Sequence, residues 1–394
     1  RRQAYPAASH AQLRARREFC YTLPMHTFEK TYDVVVAGAG VAGCAAALAA
    51  ARMGLRVALI EKTILPGGLA TSGVVNIYLP LCDGNGHQVT FGIAEELLRR
   101  SIQYGPGDIP AGWRAERDAP EARRLHARFA PAAFVLALDE VLDEAGVDVW
   151  YDTVICQTMV QDGRVTGIVV ENKSGRGAVH AACTVDATGD ADVAARAGAA
   201  YEESDNWLSI WSIIHTETDV RNARRECGAA CVQMLCCGAG SNGHNHPAGT
   251  PKWHGTNGRQ VSGFVRATRA TLRRALAERQ AAAGSNGRTQ IFPVALPCMA
   301  QFRTTRAVTG RVTLRDGEHT LRREDSIGLA ADWRKPGFVW EIPYGALVPQ
   351  RVRGLLTAGR CIASTGDAWE VTRVIPAAAL TGEAAGCAAA LAAQ

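Results

Sequence analysis

The chain has 394 residues, of which 47% are hydrophobic and 21% are charged, and its formal net charge is +5 at pH 7. This balance is typical of a globular protein with a sizeable core, and it excludes a disordered or fibrous chain. Because the basic residues form no runs interleaved with aromatic residues, we expect a solvated, mildly basic surface and predict no nucleic-acid partner.

The length predicts two lobes, or one lobe with a large insertion. Twelve cysteines without regular spacing indicate reduced thiols in a cytoplasmic protein rather than a disulfide framework. No apolar run reaches the roughly 20 residues of a membrane-spanning helix, so we predict no membrane association. Residues 1–24 are rich in arginine but lack the apolar core of a secretory signal, and Met25 precedes the first predicted strand. We therefore expect an N-terminal extension, assigned as 1–31.

Residues 34–62, VVVAGAGVAGCAAALAAARMGLRVALIEK, have the pattern of a strand, a glycine turn, an Ala-rich helix and a second strand that ends on an acid. This order predicts a dinucleotide-binding fold, in which Gly38 makes the tight turn and Gly40 lets a diphosphate approach the backbone. Gly43 lets the helix pack on the strand. The diphosphate would bind the free N–H groups of the helix N-terminus, and Glu61 would accept hydrogen bonds from ribose hydroxyls.

The glycine-rich segment 66–73 favours FAD over NAD. In a simple NAD domain the chain after the second strand usually enters another helix, whereas here a glycine-rich segment continues as though along an extended ligand. No later glycine cluster lies between a strand and a helix, so we predict no separate NAD(P)H domain. Runs rich in Val, Ile and Thr between residues 148 and 186 predict a β-meander. Val154, in this meander, is the candidate for hydrogen-bonding an adenine edge through its backbone.

Residues 201–341 interrupt the nucleotide-binding domain, and we expect them to form a cap over the flavin. The apolar run 207–218, WLSIWSIIHTET, is strand-like. Segment 227–254 holds four cysteines and three histidines, which is dense enough to raise a metal or iron–sulfur site as an alternative. Because no CxxC occurs and the cysteines fit one helical apolar stripe, we predict a substrate-covering loop and no metal.

Two arginines in the later part of the chain, Arg303 and Arg306, are spaced by three residues. If this segment is helical they lie on one face, where they could clamp an anionic substrate. Surface salt bridging is the alternative. Further on, a short apolar strand ends in Gly359 and Arg360, and a helix of small residues begins at Pro376. The positive N-terminal end of that helix would stabilise negative charge on the flavin N1/O2 edge.

Together these motifs resemble the FAD-dependent oxidoreductase family of glutathione-reductase-like flavoproteins, which is related to the fumarate reductase flavoprotein group. Seven matches occur in the family order, at residues 38–61, 66–73, 91–97, 186–199, 303–325, 342–349 and 354–386. The resemblance implies an α/β fold in which a Rossmann-like FAD-binding domain, a parallel sheet plus a β-meander, carries an inserted α+β substrate or cap domain. Residues 32–200 and 342–394 would form the FAD-binding domain, and 201–341 the cap.

The resemblance also implies which residues hold the FAD. The diphosphate and ribose would be held by Gly38, Gly40, Ala42, Gly43, Glu61 and Lys62, and the flavin side by Gly67, Gly68, Leu69, Ala70 and Thr71. The adenine and its ribose would contact Val154, Ala187, Thr188 and Gly189. The ribityl chain and the flavin edge would contact Gly359, Arg360, Val374, Ile375, Ala378 and Ala379.

Two positions depart from the family pattern. Thr304 stands where members tend to carry Glu, and Gly366 with Asp367 stands where they tend to carry a His-Glu pair. Both positions are expected to face the pocket, so these departures leave the substrate and the acid/base group open.

We predict an enzyme that passes hydride between flavin N5 and a small, anionic organic substrate. Arg303 or Arg306 would anchor the anionic group, and Asp367 would accept a proton. One alternative is a flavin-binding electron-transfer subunit or regulatory module that serves a partner protein. Another is an FAD monooxygenase. A flavin-containing tRNA modifier is disfavoured, because no basic stripe is apparent in the sequence.

Overall fold

A computed structural model describes residues 27–107, 109, 127–224, 232–240 and 243–394. Of the predicted extension 1–31, residues 1–26 lie outside these ranges, whereas residues 28–31 already belong to the first strand. Cys227 and Cys231 of the cysteine-rich segment also lie outside the described ranges. The described strands are β1 (Phe28–Ala37), β2 (Val57–Ile60), β3 (Ile77–Tyr78), β4 (Ala127–Arg128), β5 (Asp148–Trp150), β6 (Val154–Gln161), β7 (Arg164–Asn172), β8 (Gly175–Asp186), β9 (Tyr201–Glu203), β10 (Asp205–Asn206), β11 (Ser209–Thr216), β12 (Gln233–Gly238), β13 (Trp253–His254), β14 (Ile291–Ala295), β15 (Arg306–Val308), β16 (Ser326–Ala331), β17 (Val339–Pro343) and β18 (Leu355–Thr357).

The described helices are α1 (Val41–Arg52), α2 (Ile93–Ser101), α3 (Pro131–Glu144), α4 (Asp192–Arg196), α5 (Glu217–Ala223), α6 (Gly258–Ala282), α7 (Gly287–Gln290), α8 (Gly366–Thr372) and α9 (Ile375–Ala393).

The central sheet has the strand order β5-β2-β1-β8-β7-β6, and β18 also pairs with β8. Strands β5, β2, β1, β8 and β18 pair in parallel, whereas β7 is antiparallel to both β6 and β8. The C-terminal half of β1 is fully buried and apolar, as expected of a parallel strand that is covered on both faces. The structure therefore confirms the predicted α/β class, with a parallel sheet joined to a β-meander.

Helices α1 and α9 pack against each other through small residues. A Cβ atom added to Gly382 would lie 2.1 Å from the carbonyl oxygen of Ala42, and one added to Gly386 would lie 2.2 Å from that of Ala46. Only glycine allows such a close approach of two backbones. The packing holds the N-termini of both helices on the same side of the sheet, and the candidate site lies there.

Helix α9 is long and apolar. It has 19 residues with a hydropathy of 1.3, so by length and composition alone it could cross a membrane. However, 11 of its 19 residues are buried inside the protein, largely against α1, and the core helix of a globular protein can have the same length and composition. Its apolar character is thus accounted for by packing in the core.

The part of the chain after residue 200 adds smaller sheets. Strand β11, as predicted for the run 207–218, lies between β12 and β14, and helix α6 packs on this sheet. The buried hydrophobic residues of this region form two small clusters, centred on Ile210 and Phe264. In contrast, Val308 and Trp340 belong to the large core of the central sheet. This packing favours a second cap boundary near residue 305 rather than at 341, and the domain boundaries stay predictions.

Two local predictions in this region are wrong. Cys236 and Cys237 lie on strand β12 rather than on a helical stripe. Arg303 lies in a loop, and Arg306 begins strand β15, so the two arginines do not share a helix face. In both cases tertiary pairing with another strand determines the local structure, β12 with β11 and β15 with β9.

Candidate active site

A cleft lies where β1, β2, β8 and β18 end and where α1 and α9 begin. Most of the predicted FAD-binding residues line it, namely Gly38, Gly40, Ala42, Glu61, Lys62, Gly67, Gly68, Leu69, Ala70, Val154, Ala187, Thr188, Gly189, Gly359, Arg360, Ile375 and Ala378. The fold therefore brings together segments that are far apart in the sequence. Gly43, Thr71, Val374 and Ala379 are not among the lining residues.

The glycine turn between β1 and α1 opens a space in front of the helix. Gly38 has a φ of 94°, and a Cβ atom there would lie 2.8 Å from the carbonyl oxygen of Ala187. A Cβ atom on Gly43 would lie 1.8 Å from the carbonyl oxygen of Gly38, whereas one on Gly40 would meet nothing within 4 Å. Because Gly40 caps α1 without a side-chain hydrogen bond, the first-turn N–H groups face this space. Such a space suits an anion such as a diphosphate.

Glu61 is held in the cleft by hydrogen bonds from the backbone. One carboxylate oxygen accepts from the Ala39 N–H at 2.9 Å, and the other accepts from the N–H and the hydroxyl of Thr63, each at 2.9 Å. The residue is only 7% exposed. Since a carboxylate has about four acceptor positions and three are in use, one is left for a hydroxyl of a ribose.

Asp186, at the end of β8, orients the turn that contains Thr188 and Gly189. Its carboxylate accepts from the N–H and the hydroxyl of Thr188, at 3.1 and 2.7 Å, and from the Ala194 N–H at 2.8 Å. Burial raises the pKa of this carboxyl group above its ordinary value. Residues 186–199 were matched to the family pattern, but Asp186 was given no role. An acid two residues before a Thr-Gly turn is the signal that could have identified it.

Arg360 is a buried residue that joins several segments. Its guanidinium donates to the carbonyl oxygens of Gly189 at 2.7 Å and Phe302 at 2.6 Å, and it forms an ion pair with Asp190 at 2.8 Å. The guanidinium thus fixes the 302 segment over the turn that follows β8. Its predicted contact with the ribityl chain or the flavin stays a prediction.

Ser72, Met299 and Arg373 also line the cleft, although none of them was predicted as a site residue from the sequence. The Ser72 hydroxyl and the Arg373 Nε are buried and have no hydrogen-bond partner among the described residues. Glu370 forms an ion pair with the terminal nitrogen Nη2 of Arg373. Buried polar atoms are almost always hydrogen-bonded, so two unpartnered ones on one cleft indicate a place for a polar ligand.

Arg303 lies near this group and adds to its positive charge. Its guanidinium donates to the carbonyl oxygens of Ala239 and Gly240. Burial, reinforced by the nearby charge of Arg373, lowers the pKa of the Arg303 guanidinium below its ordinary value. Arg306 instead forms an ion pair with Asp192 at 3.1 Å and lies 5.0 Å from the ring centre of Tyr201. Neither Arg303 nor Arg306 is among the residues that line the cleft.

Asp367, the predicted proton acceptor, does not line the cleft, contrary to the expectation that it faces the pocket. It forms ion pairs with Arg334 at 3.0 Å and with Lys335 at 2.5 Å. The hydrogen bond from Lys335 holds the pKa of the Asp367 carboxyl below its ordinary value, which makes the carboxylate a weak base. Thr304, the other position expected to face the pocket, does not line the cleft either. Its carbonyl oxygen accepts a hydrogen bond from the Asn206 side chain at 2.6 Å.

The cysteine- and histidine-rich segment shows no metal centre in the part that the structure describes. No group of three or more His, Cys, Asp or Glu side chains is arranged there to hold a metal ion. Cys236 and Cys237 lie side by side in sequence on β12, where their side chains point to opposite faces of the strand.

Comparison with known families agrees with this geometry. The profile of a family described as FAD dependent oxidoreductase matches residues 33–209 and 254–394. The chain belongs to this family. It is therefore an FAD-dependent oxidoreductase, as the sequence predicted, and its cofactor is FAD. The site fits this cofactor, since open space precedes Gly40, Glu61 retains acceptor capacity and the Ser72 hydroxyl has no partner.

Individual relatives match only part of the chain. The tRNA uridine 5-carboxymethylaminomethyl modification enzyme MnmG of Geobacter sulfurreducens is 32% identical over 162 residues, which cover 39% of this chain and 22% of that protein. Thioredoxin reductase of Ureaplasma parvum is 35% identical over 74 residues, which cover 19% of this chain and 24% of that protein. The matched part thus spans about a quarter of these relatives' length. A geranylgeranyl bacteriochlorophyll reductase-like structure from Thermoplasma acidophilum has a TM-score of 0.42 and 14% identity, covering 92% of this chain and 78% of that chain.

These relatives overturn one prediction. No nucleic-acid partner was predicted from the sequence, yet further relatives, from Bacteroides thetaiotaomicron and Lacticaseibacillus paracasei, also have names that state a tRNA modification. The exclusion is wrong and is withdrawn. Its physical basis was the absence of contiguous basic runs, a criterion that misses arginines spaced along a helix. The cytoplasmic location stays a prediction.

Proposed function

We propose that this protein passes hydride between FAD and a small, anionic organic substrate bound beside Ser72, Met299 and Arg373. When bound, FAD supplies N5 of the flavin as the hydride acceptor or donor. The observation on which this proposal rests is the pair of buried, unpartnered polar atoms on the cleft, the Ser72 hydroxyl and the Arg373 Nε.

The charge balance favours an anion. Arg303 and Arg373 contribute two positive charges, and Glu370 contributes one negative charge through its ion pair with Arg373. A buried donor without a partner costs about 1–3 kcal/mol, so a carboxylate or similar group that accepts from the Arg373 Nε–H would remove this cost. It would also offset the repulsion between the two guanidinium groups.

Each residue then has a distinct task. Arg373 would orient the anionic group through its Nε–H, while Glu370 keeps the guanidinium from rotating away. The N-terminus of α9, next to Arg373 in the chain, would stabilise negative charge that develops during transfer. Arg303 would act through its charge, because the Ala239 and Gly240 carbonyl groups hold its guanidinium in place.

The test is anaerobic reduction of the bound flavin by a panel of small organic acids, with protein saturated in FAD. Arg373→Ala should slow reduction about 10- to 150-fold, the loss of one charge-assisted hydrogen bond of roughly 1.5–3 kcal/mol, and should retain FAD. Arg196→Ala is the matched control, since Arg196 also lines the cleft but pairs with Asp192. Equal rates for Arg373→Ala and the wild type would refute the substrate assignment.

The alternatives give different results in the same assay. A flavin-binding electron-transfer or regulatory module would be reduced by a partner protein and by none of the small acids. A monooxygenase would consume oxygen and release a hydroxylated product.

RNA is a second candidate substrate. It is favoured by the relatives named for tRNA modification and by the exposed arginines of α6. In that case the oxidised or reduced group would belong to a base that enters the cleft. An RNA that changes the rate of flavin reduction or reoxidation would support this function, and a panel of RNAs without effect would argue against it.

A further inference from the structure

We propose that the exposed face of helix α6 is a docking surface for the phosphate backbone of RNA. This arginine face consists of Arg259, Arg266, Arg269, Arg273 and Arg274. The inference deepens the RNA candidate and rests on it, but it is independent of hydride transfer to a small molecule.

The arginines form one face because of the helix period. Residues seven apart lie almost in line along a helix, so Arg259, Arg266 and Arg273 form a row about 21 Å long. Arg269 and Arg274 lie on the two sides of this row. The opposite face of α6 is buried through Phe264, Thr268, Leu272 and Leu276, and this burial fixes the direction in which the arginines point.

The charges on this face are not neutralised within the described protein. Elsewhere, arginines such as Arg52, Arg100 and Arg334 form ion pairs with carboxylates. None of the five residues of the arginine face forms an ion pair with a described carboxylate, and Glu278 is the only acidic residue of α6. A row of three exposed guanidinium groups flanked by two more, none of them paired with a described carboxylate, is complementary to a regular row of negative charges.

The chemistry of the face favours phosphate over an anionic membrane. A helix that binds a membrane presents large apolar side chains alongside its basic ones, and α6 exposes no large hydrophobic residue. Its apolar side is already packed in the core clusters around Ile210 and Phe264. The planar guanidinium group binds phosphate oxygens through two hydrogen bonds, which suits a phosphodiester backbone.

The experiment uses the full chain loaded with FAD and a fluorescein-labelled single-stranded RNA of 20 nucleotides, with binding measured by fluorescence anisotropy. The test variant is Arg266→Glu, Arg269→Glu and Arg273→Glu together. The control is Arg176→Glu, Arg311→Glu and Arg315→Glu, which are exposed arginines outside α6 that form no described ion pair. Both triple variants change the net charge by the same amount.

The test variant should weaken RNA binding at least 30-fold at 0.1 M salt, while the control changes it less than threefold. A plot of log affinity against log salt has a negative slope. Its magnitude should decrease by about 2 in the test variant, at roughly 0.7 for each lost phosphate contact. Equal losses in both variants would mean that net charge alone acts and would overturn the docking surface, while leaving the RNA candidate in place. No RNA binding by the wild type would overturn both.

Two further probes test other occupants. Vesicles rich in phosphatidylserine and a polyglutamate peptide are titrated against the wild type and the test variant. If either binds through the arginine face more tightly than the RNA, the proposal is refuted. Flavin content and reduction by small acids should be unchanged in the test variant, because the arginine face does not include any residue of the cleft.

Discussion

Replacing Gly40 by alanine should separate FAD binding from folding. Gly40 has a φ of −64°, which any residue can adopt, and a Cβ atom there would meet nothing within 4 Å. We therefore expect the free energy of unfolding of the FAD-free protein to change by no more than about 0.5 kcal/mol. The methyl group would occupy the space in front of α1 and keep a diphosphate away from the first-turn N–H groups.

The size of the effect on FAD follows from those lost contacts. Two charge-assisted hydrogen bonds at about 1.5–3 kcal/mol each amount to about 3–6 kcal/mol, so FAD affinity should fall roughly 10²–10⁴-fold. The measurement is titration of FAD into FAD-free protein, followed by flavin fluorescence, beside urea unfolding of the same preparation. FAD binding within threefold of the wild type would refute the diphosphate assignment.

Gly43→Ala is the matched comparison. Here the Cβ atom would lie 1.8 Å from the carbonyl oxygen of Gly38, so α1 must move away from β1. Overpacking of this kind costs about 1–3 kcal/mol of unfolding free energy. Gly43→Ala should therefore lose stability as well as FAD, and an unchanged unfolding midpoint would contradict the packing role of Gly43.

Two other substitutions test the charges around the cleft. Glu61→Gln should lower the unfolding free energy by about 1–3 kcal/mol and weaken FAD binding, because an amide NH₂ would face the N–H of Ala39 or Thr63. Thermal unfolding with and without FAD measures both effects. An unchanged melting temperature would contradict this role of Glu61. Asp367→Asn should leave flavin reduction unchanged but destabilise the protein at pH 7. Because the folded pKa of Asp367 is depressed, its carboxylate stabilises the fold above about pH 4 and loses this contribution as the pH falls through the folded pKa. Urea unfolding at pH 7 and pH 3 should therefore show a smaller difference between variant and wild type at pH 3, and a larger one would contradict the ion-pair reading.

The segments that could be predicted from the sequence are those whose structure depends on local pattern. The β1-turn-α1-β2 unit follows from a buried apolar strand, glycines at fixed spacing and a helix of small residues. The meander follows from β-branched runs separated by turns. The acid at Glu61 could be assigned because its position relative to the glycine turn is set by the length of one helix and one strand.

The remaining features depend on contacts between distant segments. Ser72 and Arg373 became candidates because both line the cleft and each has a buried polar atom without a partner among the described residues, which local sequence does not reveal. Asp367 was assigned as a base because its partners Arg334 and Lys335 lie more than thirty residues earlier and gave no local signal. The arginine face of α6 becomes apparent only from the helix period, since all but the adjacent pair Arg273 and Arg274 are separated by other residues in the sequence.

The position of FAD in the cleft is central to the proposed function, and a crystal structure of the FAD complex tests it directly. We expect the diphosphate at the first turn of α1 in front of Gly40, the ribose at Glu61 and the flavin ring on the side of Ser72 and Arg373. Electron density with the adenine beside Ser72, or with the first-turn N–H groups of α1 left free of phosphate, would contradict it.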